Sequence, residues 1–337
     1  MKILHIGKQG NLQRFAPKNS VLRTMTLVDM PMNRPTADYL AEGADADFII
    51  ADAIAPVTGA MISQMPNLKL IHSEGVAYNS FELEAADACG VYVCNSKGMN
   101  AVAVAEQAVL LMVGMLRNVA QGDAAVRAGQ QIEMKEGYMI RGDLRELSEF
   151  SVGLIGYGDI ARETARLLRT YGVSTIYYNK RRRLSPEEEQ AQGVIYNPVD
   201  DLLRASGIVS LHLPVNETTT HMANRKFFEL MQPGSYLVNT ARGELVEDQA
   251  LIDALKSGKL AMAGLDTLDG EPVQTSHPLL CQSAAVEKKL LFSPHIGGIT
   301  AQSFARSYAM ADADTRAVLE GRRPARVVNH VEQGRAQ

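Results

Sequence analysis

Apolar residues in this chain come in short runs of three to five, separated by longer stretches in which they recur at helical spacing, and this alternation is written out twice. In the first hundred residues the runs fall at 2–6, 48–51, 69–72 and 91–94, with helical patterns such as 57–64 and 80–88 between them. Strands alternating with helices predict a parallel sheet with crossover connections. Residues 100–118 then read as a helix apolar almost all round, interrupted mainly by Glu106 and Gln107, which predicts burial on more than one side. Residues 121–149 are more polar, carry several glycines, and read as an excursion before a second core. From Ser151 the alternation restarts, with runs at 151–155, 174–178, 207–211, 235–239, 261–265 and 290–292. Those six strands would complete a doubly wound sheet. One intervening helix announces its own start, with Ser185 as N-cap, Pro186 at the first helical position and Glu187 to Glu189 in the first turn. A helical stretch near 300–320 and the tail RRPARVVN are expected to return to the first domain, with hinges near Gly98 and Pro294. The predicted domains are therefore 1–98 with 294–337, and 99–293.

Composition narrows the picture. At 337 residues the chain exceeds the size at which single cores usually split, in line with two domains. With 34 Lys plus Arg against 38 Asp plus Glu, the net charge of −4 gives no broad reason to bind nucleic acid. Three cysteines without C-x-x-C spacing suggest neither a disulfide framework nor a metal site and fit a reducing cytoplasm. The opening MKILHIG lacks the regions of a signal peptide. The run Ala108–Leu116 is far short of the roughly 20 residues that span a bilayer, so no membrane role is expected.

The second core begins with VGLIGYGDIA at 152–161, a strand, a glycine turn and the start of a helix over 159–170. Gly156, Gly158 and Ala161 occupy the small-residue positions of G-x-G-x-x-G/A, which permit a tight turn, a close approach to a pyrophosphate and close packing of helix on strand. The helix start adds free N–H groups and a positive dipole end. A dinucleotide is expected there. An acidic residue at the end of the following strand would bond the ribose hydroxyls of NAD, but here Asn179 stands at that end, followed by Lys180, Arg181, Arg182 and Arg183. Without a carboxylate to repel a 2′-phosphate, and with cations next in sequence, NADP is the expected cofactor and NAD the second choice.

Three later segments supply candidate chemistry: VNTARGELVED at 238–248, GLDTLDGEP at 264–272 and LLFSPHIGG at 290–298. Each begins in or just after a strand and ends in a turn, so Arg242, Glu271 and His295 can all emerge at the carboxyl edge of the sheet, where open α/β folds bind ligands. With the cradle, the loop HSEGVAYNSFE at 72–82 and the segment LHLPVNETTTHM at 211–222, the chain resembles the D-isomer-specific 2-hydroxyacid dehydrogenase family over nearly its whole length.

That resemblance implies an α/β fold of two doubly wound parallel-sheet domains, a Rossmann cofactor domain and a flavodoxin-like substrate domain. It implies His295 as acid/base, Glu271 as its partner and Arg242 as the anchor of a small 2-oxo or 2-hydroxy acid. Reduction of a 2-oxo acid needs a proton donor at the carbonyl oxygen, which histidine can be near neutral pH, and a forked cation for the carboxylate, which arginine is. The resemblance also assigns Asp159 and Ile160 to the pyrophosphate, Thr240 and Ala241 to the nicotinamide side, and Asp266 to the carboxamide. Gly297 and Gly298 would pass close to the nicotinamide, and Pro214 and Thr218 would line the cofactor site. Backbone N–H groups of Gly75 and Val76 would grip the substrate carboxylate. Of the remaining histidines, His72 is expected to border substrate and His212 cofactor, and the others to be structural. Glu74 brings a carboxylate into the substrate loop, which would repel a phosphorylated substrate and leaves glyoxylate, hydroxypyruvate or a larger 2-oxo acid. A homodimer through the apolar helix and the excursion is implied as well. The alternative is a nucleotide-sensing, corepressor-like interaction protein on the same fold, which fold alone does not exclude.

Overall fold

The computed structural model describes residues 1–335. They form two compact units, Met1–Asn100 with the chain from Ile299 onward, and Ala101–Gly298. Both boundaries fall slightly later than the sequence places them. The apolar helix itself begins the second unit, and His295 and Gly297 stay with that unit through N–H bonds to the carbonyl and the carboxylate of Asp266, respectively.

The first unit runs β1 (Lys2–Ile6), α1 (Asn11–Phe15), β2 (Thr26–Met30), α2 (Thr36–Gly43), β3 (Phe48–Ala51), α3 (Gly59–Gln64), β4 (Leu70–Ser73), α4 (Leu83–Ala88) and β5 (Tyr92–Cys94). Its strands are all parallel in the order β2-β1-β3-β4-β5, the flavodoxin-like arrangement. The four strands read from the sequence are almost wholly buried, as apolar runs in a covered parallel sheet should be. The fifth, β2, escapes a pattern search: TLVDM mixes polar with apolar residues because an edge strand stays partly exposed.

The second unit opens with α5 (Ala101–Leu116), α6 (Val119–Arg127) and α7 (Gln131–Arg141), followed by β6 (Val152–Ile155), α8 (Asp159–Thr170), β7 (Ile176–Asn179), α9 (Pro186–Gln192), β8 (Ile195–Tyr196), α10 (Val199–Ala205), β9 (Ile208–Leu211), α11 (Arg225–Leu230), β10 (Ser235–Asn239), α12 (Asp248–Ser257), β11 (Leu260–Leu265), α13 (Ala284–Glu287) and β12 (Leu290–Phe292). Seven parallel strands, not six, form one sheet in the order β12-β11-β10-β9-β6-β7-β8. The added strand is β8, two residues long and therefore below the length at which an apolar run is legible. The excursion at 121–149 carries the helices α6 and α7. On α5, Ala108, Leu111, Met112 and Met115 join Ala161, Ala165 and Leu168 of α8 in one core. Burying such side chains contributes about 1.5–3 kcal/mol each for the larger ones. The reading of Ser185 as a cap is realised as a reciprocal capping box with Glu188.

The chain returns to the first unit through α14 (Ala301–Leu319), capped by Thr300. Tyr308 and Ala311 of this helix are buried with Ile3, Phe48, Ile50 and Leu70, and Val327 bridges antiparallel to Cys94.

Candidate active site

In the second unit β10, β11 and β12 are neighbours, and the chain leaves all three at the same edge. Arg242 follows β10, Asp266 and Glu271 follow β11, and His295 follows β12. The topology thus gathers the three residues singled out from sequence onto adjacent strand ends, the edge at which open α/β sheets take ligands.

Each is held by its own local chemistry. His295 sits at φ 54, a left-handed conformation unusual for a residue with a Cβ, and its N–H donates to the carbonyls of Asp266 (2.8 Å) and Ser293 (3.0 Å). The buried Asp266 carboxylate accepts from Ser293 Oγ at 2.5 Å, Ile296 N at 3.1 Å and Gly297 N at 2.9 Å. Gln107 on α5 donates to Ser293 Oγ at 2.9 Å, which accounts for an amide in a largely apolar helix. The ring of His295 donates from Nδ1 to Glu271 Oε2 at 2.5 Å, and Glu271 Oε1 accepts from Leu268 N at 2.8 Å. With Nδ1 engaged, Nε2 is the nitrogen free to exchange a proton. Both side chains keep access to solvent, 46% for His295 and 33% for Glu271.

Arg242 is exposed and, among the described residues, forms no ion pair; Nη1 donates only to the Ala241 carbonyl, at 2.7 Å. Its backbone is fixed by the fully buried Asn239, which donates from Nδ2 to Arg242 O at 2.7 Å and accepts from Ala241 N at 3.0 Å. Next in sequence is Gly243, where a Cβ would lie 1.9 Å from the Leu268 carbonyl carbon. The turn carrying the cation therefore lies directly on the turn leading to Glu271. Asn239, Gln107 and Ser293 are positioning groups that the sequence reading missed. The polar residues inside apolar runs, VN at the end of β10 and Gln107 in α5, were the signal.

The glycine cradle keeps its expected form. Gly156 has φ 86, and a Cβ there would strike the His212 carbonyl at 2.5 Å. A Cβ on Gly158 would meet nothing within 4 Å, so its backbone faces open space at the start of α8. Asp159 is exposed there and Ile160 half-buried. The hydroxyl of Thr240 is buried with no partner among the described residues. An open cradle at a helix start and an orphaned buried hydroxyl after β10, two strands along the same sheet edge, both fit a dinucleotide. Ala241 is half-buried in the same turn, and Gly297 and Gly298 lie buried and half-buried after His295. His212 bonds Ser210 Oγ at 3.0 Å, and burial pushes its ring down to about 4. Pro214 and Thr218 are exposed, and the Thr218 hydroxyl donates to Asn216 Oδ1 at 2.7 Å within its own turn.

At the end of β7, Asn179 Nδ2 donates to Asn197 O at 3.0 Å. Of the cations that follow, Arg183 is committed to Glu189 through two hydrogen bonds and lies over the Tyr196 ring. Lys180 is half-buried, while Arg181 and Arg182 are exposed and make no ion pair among the described residues.

In the first unit, the loop after β4 departs from expectation at two residues. Glu74 is 4% exposed and turned inward onto His5 and Tyr308, so its charge is not presented outward and gives no ground for excluding a phosphorylated substrate. His72 is fully buried within the first unit, between Ser73 O at 2.9 Å and Asp314 Oδ2 at 3.2 Å. In both cases sequence shows that a polar residue lies near a strand end but not which way it points. The carbonyls of Glu74, Gly75, Val76 and Ala77 accept from Ser307 Oγ, Ser96 N, Asn95 Nδ2 and Ser73 Oγ. Gly75 N donates to Ser73 Oγ at 3.2 Å, while the N–H groups of Val76 and Ala77 have no acceptor among the described residues.

Among the described residues no cluster of three or more His, Cys, Asp or Glu is arranged for a metal, and no single helix is long and apolar enough to cross a membrane.

Residues 109–297 match the family model described as D-isomer specific 2-hydroxyacid dehydrogenase, NAD binding domain. The chain is similar to a glyoxylate reductase of Thermofilum pendens, 32% identical over 301 residues, covering 89% of this chain and 86% of that one. It is likewise similar to a glyoxylate reductase of Thermococcus litoralis, 30% identical over 302 residues, with 89% and 88% covered. Among solved structures, D-mandelate dehydrogenase of Rhodotorula graminis superposes with a TM-score of 0.81 at 25% identity, covering 99% of both chains.

Proposed function

As the chain belongs to the D-isomer-specific 2-hydroxyacid dehydrogenase family, and is an NAD(P)-dependent enzyme of that kind, we propose that it reduces a small 2-oxo acid, glyoxylate foremost, with NADPH. The observation that carries this reading is the pair His295–Glu271 at the strand edge that also presents Arg242, which forms no ion pair among the described residues.

In this reading Arg242 takes the substrate carboxylate with its guanidinium fork. His295 gives the Nε2 proton to the carbonyl oxygen as the carbonyl carbon becomes the hydroxyl-bearing one, and in the reverse direction takes it back. Glu271 fixes the ring through Nδ1 and balances the charge that the ring carries before transfer. Gly156, Gly158, Asp159 and Ile160 are assigned to the pyrophosphate, and Thr240, Ala241, Asp266, Gly297 and Gly298 to the nicotinamide end, with His212, Pro214 and Thr218 along the site. Asp266 reaches a carboxamide only with acceptor capacity left by its three existing bonds. When bound, the reduced cofactor supplies the hydride. In the first unit, Val76 is assigned as a backbone donor to an anionic group of the substrate, whereas the Gly75 N–H expected beside it is already bonded to Ser73 Oγ.

The choice of NADP rests on Asn179 in place of a carboxylate and on Arg181 and Arg182, which make no ion pair among the described residues. The test is cofactor oxidation with a panel of 2-oxo acids. Glyoxylate turnover is expected, with kcat/KM higher for NADPH than for NADH. Asn179→Asp combined with Arg181→Ala is expected to shift that ratio toward NADH by about 10- to 100-fold, the worth of one charged hydrogen bond to phosphate. Unchanged discrimination would defeat the NADP assignment, and NADPH binding without any turnover would favour the corepressor-like alternative.

The unpaired Cys89, Cys94 and Cys281 suit a reducing cytoplasm. We also assign a homodimer to the face of α5 to α7, which exposes Leu110, Val126, Ile132, Met139 and Ile140. Sedimentation should give twice the 36.7 kDa chain mass. Met139→Glu with Ile140→Glu should give a monomer, and a monomeric wild type would refute the assignment.

A further inference from the structure

The first unit holds a buried chain of ionisable groups that the mechanism above does not use. His5, the penultimate residue of β1, is fully buried and faces a carboxylate on either side: Nδ1 lies 2.5 Å from Asp29 Oδ1 of β2, and Nε2 lies 2.6 Å from Glu74 Oε1. The Tyr308 hydroxyl, from α14, donates to the same Glu74 oxygen and lies 3.1 Å from Nε2. A neutral imidazole has only one N–H, so its other nitrogen would point a lone pair at a carboxylate oxygen. The arrangement calls for a ring that donates from both nitrogens, an imidazolium between two anions. Burial alone would push His5 down, but hydrogen bonds and charge from Glu74 and then Asp29 outweigh it and hold the ring above its ordinary value of 6.5.

The remaining titratable neighbour is Asp52, beyond β3. Burial pushes it up, the Ile54 N–H pulls it down, Glu74 raises it and His5 lowers it. Glu74 and Asp29 therefore set the charge of His5, with Asp52 and Tyr308 as the other titratable groups around it. All lie at the carboxyl edge of the five-stranded sheet or on the helix against it, and Glu74 is the first residue of the loop whose Val76 and Ala77 N–H groups have no acceptor among the described residues.

We propose that Asp29, His5, Glu74 and Tyr308 form a positioning device for this loop: cationic His5 holds the Glu74 side chain inward, and so fixes the turn that offers the Val76 and Ala77 N–H groups to an anionic group of the substrate. Glu74 is tied at three points, by its N–H to Ala51 O, by its carbonyl to Ser307 Oγ and by its side chain to His5 and Tyr308. Removing His5 leaves the buried Glu74 and half-buried Asp29 carboxylates without the cation between them, with Tyr308 as the one side-chain donor to Glu74 among the described residues, and the inward rotamer loses its reason. Neither His5 nor Glu74 is a catalytic residue; both act through the backbone of 75–77. The sign of the pH effect follows. Since folding raises the ring's pKa, the tie is complete below 6.5 and is lost as pH rises through the raised value, so substrate affinity falls on the alkaline side.

The inference rests on the dehydrogenase reading for its kinetic arm and on the native chain alone for its spectroscopic arm. In the kinetic arm, Glu74→Gln and His5→Gln are each expected to raise KM for glyoxylate about tenfold while kcat changes far less. The double variant should come close to either single one, because the groups act as a unit. Glu74→Asp should restore part of the affinity, and His5→Gln should flatten the alkaline rise in KM seen in the wild type. In the spectroscopic arm, nitrogen-15 histidine spectra of the unaltered protein should show both His5 ring nitrogens protonated at pH 7. A neutral His5 at that pH overturns the proposal whether or not the chain turns over glyoxylate. A folded Glu74→Gln variant with KM within twofold of wild type overturns it too. Failure of the wild type to reduce any 2-oxo acid counts against the dehydrogenase reading, and the ring protonation then decides this one.

Discussion

Replacing His295 by asparagine is expected to lower kcat for 2-oxo acid reduction by about 10²- to 10⁴-fold, the usual contribution of a positioned acid/base, while NADPH affinity stays close to wild type. Asparagine keeps polarity and roughly the size of the ring's inner half, and it tolerates the left-handed backbone that residue 295 adopts at φ 54 better than most residues. The substitution therefore removes the proton donor without adding backbone strain. Glu271→Gln is expected to cost less, since an amide can still bond Nδ1, but it removes the charge opposite the ring. The double variant should match His295→Asn within about twofold, because a partner that works only through the ring has nothing left to act on. Steady-state kinetics at saturating NADPH, with cofactor binding measured separately by fluorescence, checks all three. A His295→Asn enzyme retaining more than a tenth of wild-type kcat would remove histidine from the proton's path.

The parts of this site that were legible in sequence are those where a backbone requirement and a chemical requirement coincide. GLIGYGDIA had to be a strand, a turn at positive φ and a helix start, and the structure gives Gly156 φ 86 followed by α8 from Asp159. Arg242, Glu271 and His295 were placed at one edge because each follows a run apolar enough to be a covered strand, and the order β12-β11-β10 makes those strands neighbours. What could not be read was side-chain direction. Glu74 and His72 occupy the positions expected of the loop and strand, yet both point inward, onto His5 and Asp314, partners more than sixty residues away in sequence. Local pattern carries no information about such partners. The same holds for Gln107, whose amide has meaning only through Ser293 and Asp266. Strands β2 and β8 were missed for a different reason: one is a partly exposed edge and the other two residues long, so neither presents an apolar run.

Arg242→Lys is the sharpest test of the substrate anchor, since it preserves charge and changes geometry. The guanidinium can place two parallel N–H donors on a carboxylate, whereas an ammonium on a shorter, more flexible approach offers a point charge. Charged hydrogen bonds are worth about 1.5–3 kcal/mol each; losing one well-formed bond should lower kcat/KM for glyoxylate roughly 10- to 100-fold, and Arg242→Ala, which loses both and the charge, roughly 10²- to 10⁴-fold. The environment makes the comparison clean. Arg242 makes no ion pair among the described residues, so its removal strands no protein carboxylate, and its only side-chain bond is to the neighbouring Ala241 carbonyl. The turn itself is held by Asn239 and by the close contact of Gly243 with Leu268, neither of which uses the Arg242 side chain. Stability and NADPH binding should therefore survive both substitutions. Partial restoration of Arg242→Ala activity by added guanidinium, but not by equal concentrations of sodium salt, is the expected signature of a lost fork. Equal kcat/KM for the lysine variant and wild type would show that residue 242 contributes charge alone, and unimpaired turnover by Arg242→Ala would place the substrate carboxylate on another group.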